Sequence, residues 1–470
     1  MNLMEYIYLL PVLFSAAGSL LCILPFLKFE EDISVVVSIG ALASSIYILF
    51  LPNYSTDFFY IDGLSKIFLV MTSAIYLAAV LFSIYYIDHI QNKLFQSHFY
   101  FFLLNTFVLT MLFTVILNNF GLVWVAVEAT TVTSALLIST ENDEATIEAT
   151  WRYVIIVSAG LIISLIAVIF IYSSFKTLSF AELLKINSNL NNGSPVVLAN
   201  AKIAYFGAVL GIIGFGTKAG IFPMHTWLPD AHGKAPSPIS AVFSAVLLPV
   251  ALFAIERIIQ AVPDNGVKVF AFTLGLLSIA LAAFMSFNQV YYKRMFAYSS
   301  IDNMGIALIG LSLGGYAFVG SILIILAHAF AKSATFFLTG NVLINYESWK
   351  IDGVKGVSKA LPATGYSLFF GSLAVTGTPP FGTFLGELII LISIYNTYGV
   401  ILTLLTGLFL AMAFIGINYQ TLRMVFSEPN IEKRKENFIV VIPIINLLFA
   451  LAVTFASPLI YNILFNGVWK

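Results

Sequence analysis

Four charged residues stand alone inside long apolar stretches of this chain of 470 residues. Each is the only Asp, Glu, Lys or Arg in its window: Glu128 in residues 99–140, Lys218 in 203–229, Lys332 in 303–346 and Glu387 in 360–422. A charge near the centre of a bilayer costs about 2.5–3.5 kcal/mol even on scales derived from membrane insertion. Two acids and two bases kept at that cost indicate a proton or ion path through a membrane protein.

The composition predicts an all-α polytopic membrane protein. The chain is 60% hydrophobic and 10% charged, whereas a soluble domain carries about 25% charged residues. Apolar windows of about 20 residues recur along it, and in hydrocarbon such windows must be helical because every backbone amide needs a partner within its own segment. We count about 14 transmembrane helices. The net charge of −1, without a basic tract, gives no sign of nucleic-acid binding.

Cys22 is the only cysteine. A single cysteine excludes an internal disulfide, a cysteine-rich zinc site and a cysteine-held iron–sulfur cluster within this chain. We therefore expect no cofactor and no metal here.

Two predicted spans contain helix-breaking residues beside an isolated charge. Span seven, at 202–223, reads GIIGFGTKAGIFP around Lys218, and span twelve, at 362–394, reads SLAVTGTPPFGTFLGEL up to Glu387. Glycine and proline weaken or interrupt helical hydrogen bonding, so both spans are predicted to be discontinuous. Paired interrupted segments in corresponding halves of a transporter point to its binding path.

The spacing of the two broken spans predicts two inverted five-helix repeats, spans 4–8 and 9–13. A single membrane domain, 1–470, would then contain four parts: a three-helix segment at 1–97, a first repeat at 98–262, a second repeat at 263–424 and a C-terminal helix at 425–470. Thirteen Lys and Arg residues fall in loops on one side and six on the side of the termini. Positive-inside logic predicts a cell-membrane protein with both termini external.

Four segments closely resemble the antiporter-like membrane subunits of respiratory complex I, Mrp antiporters and group 4 membrane-bound hydrogenases. They are TKAGIFPMHTWLPDAHGKAPSPISA (Thr217–Ala241), VYYKRMFAYSSIDNMG (Val290–Gly305), LAHAFAKSATFFLTG (Leu326–Gly340) and GTPPFGTFLGEL (Gly377–Leu388). Glu128 is similar to a glutamate of the same family. Two further segments, EATWRYVIIVSAG (Glu148–Gly160) and LLPVALFAIER (Leu247–Arg257), resemble the hydrogenase and formate-hydrogenlyase branch.

The resemblance implies a proton-translocating subunit of a redox-driven complex, with other membrane subunits and a peripheral hydrogenase or dehydrogenase arm as partners. Three alternatives stay open: a subunit of an Mrp-type sodium/proton antiporter, a membrane subunit of an inorganic-carbon uptake system, and a structural scaffold with an inactive path. Pro249 stands where many relatives carry a lysine. Either Lys332 with His328 takes the central role, or the two half-paths are not joined.

Glu128 and Lys218 can meet if spans five and seven pack together. A carboxylate beside Lys218 would hold the lysine protonated, and its withdrawal in a dry site would release the proton. The alternative is a static buried ion pair that fixes helix packing. The glycines and proline around Lys218 favour the functional interpretation.

Lys332 follows His328 by four residues on one helix face, which is suited to a proton relay. The alternative is a satisfied core histidine beside a lysine bonded to carbonyls. Glu387, after the break in span twelve, is predicted to give or accept protons toward one side, or else to cap a helix terminus.

His225 and His232 flank Trp227 and could feed protons from the cytoplasm to Lys218. Hydrogen bonds to loop backbone are an equal alternative, and the two histidines lack the further ligands of a metal site. Near the span ends, Asp62 and Lys66 are expected at the interface, and Glu256 with Arg257 as a local, partly solvated pair. Asp302 has no assigned role.

Overall fold

A computed structural model of the protein describes residues 3–24, 29–90, 92–191 and 201–465. Within those ranges the chain forms twenty α-helices and one two-stranded hairpin, β1 Tyr54–Ser55 with β2 Tyr60–Ile61. The helices are α1 Leu3–Cys22, α2 Glu30–Leu49, α3 Gly63–Ile87, α4 Ser97–Thr114, α5 Phe120–Ile138, α6 Glu144–Phe175, α7 Phe180–Asn191, α8 Ala201–Ala219, α9 Trp227–Lys234, α10 Ser237–Val242, α11 Leu248–Ala261, α12 Asn265–Ser286, α13 Tyr292–Leu313, α14 Gly315–Tyr346, α15 Val357–Ala360, α16 Pro362–Val375, α17 Gly382–Tyr398, α18 Val400–Phe426, α19 Val441–Phe455 and α20 Ser457–Phe465.

The all-α polytopic architecture is confirmed. Twelve helical segments in the described part of the chain are long and apolar enough to cross a membrane. Helix α8 and the interrupted pair α16–α17 would bring the crossings to the expected fourteen; that number and the two five-helix repeats stay predictions. The helices α13 and α14 are almost wholly buried among their neighbours, whereas only about a fifth of α18 is buried. The central helices therefore carry the buried polar groups, and α18 faces the surroundings.

Span seven is interrupted directly after Lys218, as its glycines and proline predict. Helix α8 ends at Ala219, Gly220 takes a left-handed φ of +73°, and the next helix begins at Trp227. A β-carbon at Gly220 would lie 2.4 Å from Leu228 Cδ1, so both the backbone angle and the space require glycine. The indole N–H of Trp227 donates to the Thr217 carbonyl at 2.8 Å, which satisfies an acceptor that the interrupted helix leaves free.

Span twelve is interrupted in the same way. Helix α16 ends at Val375 and α17 begins at Gly382. Gly377 has a φ of +64°, and a β-carbon there would lie 2.1 Å from Glu387 Oε2, so the carboxylate of α17 folds back onto the glycine. The Thr383 hydroxyl bridges the gap by donating to the Ala374 carbonyl at 2.7 Å.

Pro249 lies inside a continuous buried span. Helix α10 passes into a π-helical turn, Phe243–Leu247, and then into α11. Proline has no N–H to donate within a helix, and the widened turn directly precedes it. The turn also directs the Ser244 hydroxyl into the protein interior.

Short backbone bridges define the two sides of the molecule. On one side Lys93 pairs with Glu141 and Tyr291 with Lys350; on the other Phe59 pairs with Leu117 and Asn119 with Ser179. We call these the basic side and the terminal side. The amphipathic helix α7 lies on the terminal side, and residues 192–200, which follow it, lie outside the described residues.

The prediction that Glu256 and Arg257 form a local, partly solvated pair is wrong. Both side chains are buried, and Arg257 instead pairs with Asp62 through two hydrogen bonds of 2.7 and 2.8 Å. Successive helical residues do not face each other, so neighbours in sequence do not pair, whereas residues on α3 and α11 can. Lys66 is likewise buried and donates to the Leu51 carbonyl at 2.5 Å.

Candidate functional site

Lys218 is fully buried at the end of α8 and is held by neutral groups. Its ammonium donates to Thr131 Oγ1 at 2.9 Å and to the Tyr153 hydroxyl at 2.7 Å. The Tyr153 hydroxyl also hydrogen-bonds with Ser134 Oγ at 2.5 Å, and the tyrosine ring lies 5.1 Å from the lysine nitrogen. We call these four residues the Lys218 pocket. They come from α5, α6 and α8.

Glu128 stands beside this pocket without closing an ion pair. It lies three residues before Thr131 on α5, so the two side chains share a helix face. Its charge acts on Lys218, but in the described part of the chain no salt bridge within 4 Å joins them, and Glu128 Oε2 has no hydrogen-bond partner. The acid is thus close to the lysine but separate from it.

Lys332 is fully buried in the middle of α14 and is also held by neutral oxygens. Its ammonium donates to the Phe296 backbone carbonyl and to the Ser299 hydroxyl, both on α13. Two aromatic rings flank it, with the centroid of Phe336 at 5.5 Å and that of Phe296 at 5.9 Å. These four residues form the Lys332 pocket.

Asp302 is the acid that faces Lys332, and sequence analysis gave it no role. It lies one helical turn after Ser299, is buried, and has an Oδ1 atom without a hydrogen-bond partner among the described residues. Its charge acts on both Lys332 and Glu387. Asp302 is therefore within electrostatic range of both the lysine of α14 and the glutamate of α17.

His328 lies in the same core as Lys332 and contacts the π-helical turn. Its Nε2 lies 3.5 Å from Ser244 Oγ, which in turn hydrogen-bonds with Ser300 Oγ at 2.7 Å. His328 Nδ1 has no partner in the described ranges. A hydroxyl of the span that carries Pro249 thus occupies the neighbourhood of the α14 histidine.

His232 lies beside the Lys332 pocket. Its imidazole stacks on the ring of Phe336, with centroids 5.0 Å apart, and meets the ring of Phe243 edge to face at 6.0 Å. It is fully buried, and neither ring nitrogen has a hydrogen-bond partner among the residues that the structure describes. The charge of Lys332 acts on it.

The other neighbour of His232 leads back to the first lysine. The ring of Phe243 lies 6.2 Å from the ring of Tyr153, whose hydroxyl accepts from Lys218. His232 therefore occupies a position between the two lysine pockets. His232 is therefore a titratable group between the two lysine pockets, although Pro249 itself has no side chain that can carry a proton.

His225 is not brought into this group. It lies in the loop after Lys218, mostly buried, with its ring 6.1 Å from that of Phe222 and parallel to it. Its Nδ1 has no partner in the described chain. No three His, Cys, Asp or Glu residues among those described lie close enough together to hold a metal ion.

Buried lysines on neutral oxygens, acids close by without contact, and an unbonded imidazole between them are groups that can exchange protons. Hydroxyls that both donate and accept can carry a proton between them. The isolated charges signalled both lysines in the sequence. The hydroxyl partners Thr131, Tyr153 and Ser299 had no such signal, since isolated hydroxyls are common in membrane helices.

The fold and these buried charges define an antiporter-like, multi-pass integral membrane protein. Comparison with known families identifies the type: residues 117–416 match the NADH:quinone oxidoreductase/Mrp antiporter transmembrane family. The chain belongs to this family.

Relatives include hydrogenase and quinone-reductase components. The chain is 33% identical to the hydrogenase-4 component F homolog of Methylacidiphilum infernorum, over 78% of this chain and 79% of that one. It is 26% identical to hydrogenase-4 component B of Escherichia coli, over 69% of this chain and 49% of the relative. Identity to NAD(P)H-quinone oxidoreductase chain 4 3 of a Picosynechococcus species is 36%, over 40% and 34% of the two chains.

Two solved structures share the fold. A chain of the archaeal membrane-bound sulfane sulfur reductase superposes with a TM-score of 0.84 at 21% identity, over 98% of this chain and 96% of that one. A chain of the Mrp complex from a Dietzia species gives a TM-score of 0.81 at 16% identity, over 100% and 99%.

Proposed function

We propose that this protein translocates protons as an antiporter-like subunit of a redox-driven complex of the hydrogenase type. The observation that carries the proposal is the pair of fully buried lysines, Lys218 and Lys332, whose ammonium groups are held only by neutral oxygens and an aromatic environment in the described structure. A static buried ion pair would place a carboxylate in contact with each lysine, and in the described structure neither ammonium has one. A lysine on neutral acceptors can instead lose its proton without leaving an unpaired carboxylate.

The acids beside the lysines can control how tightly each lysine holds its proton. Glu128 acts on Lys218 and Asp302 acts on Lys332 through charge but without direct contact. A change of one pKa unit corresponds to about 1.4 kcal/mol, and moving one charge through 100 mV takes about 2.3 kcal/mol. A shift of about two pKa units, produced by a change in the charge of the neighbouring acid, would therefore match the work of moving one proton through 100 mV.

The proposed path runs from the Lys218 pocket, with Glu128, through His232 to the Lys332 pocket, with His328, and then by Asp302 to Glu387. His225 has no described contact to either pocket and lies at the edge of the proposed path. Driving energy would arrive from partner subunits, since the path contains only proton-carrying groups. The relation to hydrogenase-4 components supports partners of the hydrogenase type.

The protein is proposed to lie in the cell membrane with the basic side facing the cytoplasm and both termini outside. The asymmetry of Lys and Arg between the loops supports this orientation.

The test is proton pumping in vesicles measured beside subunit abundance in the same membranes. Lys218→Ala is expected to abolish pumping at normal abundance, and Glu128→Gln to impair it. Lys359→Ala is the matched control, because its salt bridge with Glu428 is exposed. Normal pumping by an abundant Lys218→Ala protein would refute the proposal, while lost abundance restored in the double variant would favour a structural pair. Pumping that requires a sodium gradient would favour the Mrp-type alternative.

A further inference from the structure

Two cavities open on the basic side of the molecule. The first, of 570 Å³, is lined by five Lys and Arg side chains: Arg152, Lys234, Lys293, Arg294 and Lys350. The second, of 470 Å³, is lined by the acids Glu141, Asp143 and Glu347. We call them the basic cavity and the acidic cavity. Each is large enough for many water molecules, since one occupies about 30 Å³ in the liquid.

Lys293 lies where the basic cavity meets the protein interior. Its side chain lines the cavity yet is almost wholly buried, and its ammonium donates to the Ala235 carbonyl at 2.7 Å. The ring of Trp349, which lines both cavities, lies 5.3 Å from the lysine nitrogen. The lysine thus reaches water on one side and buried backbone on the other.

Glu141 is the acid that acts on Lys293 from the acidic cavity. It lies in the loop between α5 and α6, and the charges of Asp143 and Lys234 also act on it. Burial raises the pKa of the Glu141 carboxyl, and the charge of Lys293 opposes that shift. An acid that lines an open cavity and whose pKa is raised by burial is suited to collect protons.

A polar connection continues inward from Lys293. The Ala235 carbonyl also accepts from Ser240 Oγ at 3.3 Å, and the same hydroxyl donates to the His232 carbonyl at 3.1 Å. The charges of both Lys293 and Lys332 act on the unbonded imidazole of His232. The connection therefore reaches the backbone of His232, whose imidazole lies between the two lysine pockets.

We propose that Glu141 and Lys293 form a proton-uptake site on the basic side, which collects protons from the acidic cavity and delivers them to His232. The site rests on the proposed function, because it serves the same path. Protons from this site would enter the path at His232, in its middle, and would not pass through Lys218 first.

Chemical rescue at position 141 tests the site. Glu141→Cys is expected to lower pumping on the order of a hundredfold, as for loss of a proton-transfer group. Alkylation with iodoacetate attaches a carboxyl through the sulfur with loss of iodide and is expected to restore pumping, whereas iodoacetamide attaches a neutral amide and is expected to leave it low. The comparison is made on one assembled protein, so folding does not enter. The native Cys22 is 1% exposed, and the wild-type protein treated with both reagents controls for it.

Two further variants separate the possible outcomes. Glu141→Gln is expected to pump as slowly as Glu141→Cys, and Glu144→Gln, an exposed acid at the start of α6, is expected to pump normally. Normal pumping by Glu141→Gln, or equal restoration by both reagents, would overturn the uptake site. If at the same time Lys332→Ala is inactive, the proposed function stands; if Lys332→Ala also pumps, the proposed function fails by itself.

Discussion

The imidazole of His232 lies parallel to the phenyl ring of Phe336, with centroids 5.0 Å apart and an interplanar angle of 10°. The same phenyl ring lies beside the ammonium of Lys332. A flat stack fixes the histidine in position without using either ring nitrogen, and both nitrogens lack partners in the described structure. His232 is therefore held by packing and keeps its nitrogens available for protons.

His232→Asn is expected to reduce pumping on the order of a hundredfold, because asparagine cannot carry a proton between the two lysine pockets. The matched variant is His225→Asn, because His225 lies in the loop before α9 and has no described contact to either pocket. This variant is expected to pump normally. Vesicle pumping normalised to subunit abundance measures both. Equal losses in the two variants would contradict the bridging position of His232.

Tyr153→Phe is expected to weaken pumping while the protein still assembles. The change removes the hydroxyl that accepts from Lys218 but keeps the ring that packs against Trp227 and Phe243. Loss of one partner of a buried charged group costs about 1–3 kcal/mol, so a lower unfolding temperature in detergent is expected as well. Unchanged pumping would show that the hydroxyl is not part of the path.

Asp302→Asn is expected to abolish pumping at normal abundance, because it removes the charge that acts on Lys332 and Glu387. Asparagine preserves the volume of the side chain, so the packing of α13 is expected to survive. The exposed Asp57→Asn serves as the control. If Asp302→Asn pumps normally, then Glu387 receives protons by another route.

Asp62→Asn is expected to destabilise the protein by about 3 kcal/mol near neutral pH, because it leaves the buried Arg257 without its carboxylate. Burial opposes ionisation of Asp62, but the charge and hydrogen bonds of Arg257 outweigh it and lower the pKa of the carboxyl. A lowered pKa gives stability that is complete above the unfolded value, about 3.9, and that is lost as the pH falls through the folded value. Thermal unfolding of both proteins should therefore converge only below about pH 4, and convergence at a higher pH would contradict the strength of the pair.

Single cysteines test the orientation. Lys435→Cys on the basic side is expected to react with a membrane-impermeant maleimide only in inside-out vesicles, and Asp57→Cys on the terminal side only in right-side-out vesicles. Both positions are exposed, and the buried Cys22 gives little background. The reverse pattern would place the termini in the cytoplasm.

The sequence predicts the buried lysines and both helix interruptions because each leaves a local mark. A lone charge in an apolar window and a cluster of glycine and proline are visible without a fold. Asp302 was missed because it follows the basic segment that opens α13, where an acid looks interfacial. The partner of Arg257 was missed because Asp62 lies 195 residues earlier in the chain, and only packing of α3 against α11 brings the two together.

The described hydrogen bonds of the buried lysines have one feature in common: each acceptor comes earlier in the chain than the lysine that it holds. The pairs are Thr131 and Tyr153 with Lys218, Phe296 and Ser299 with Lys332, Ala235 with Lys293, and Leu51 with Lys66. During synthesis from the N-terminus, the helices that carry the acceptors of Lys218 and Lys332 are therefore made before the helix that carries each lysine. Each ammonium can then bind its acceptor oxygens as its own helix enters the membrane. The order of the helices in the chain therefore favours insertion of the helices that carry a charge.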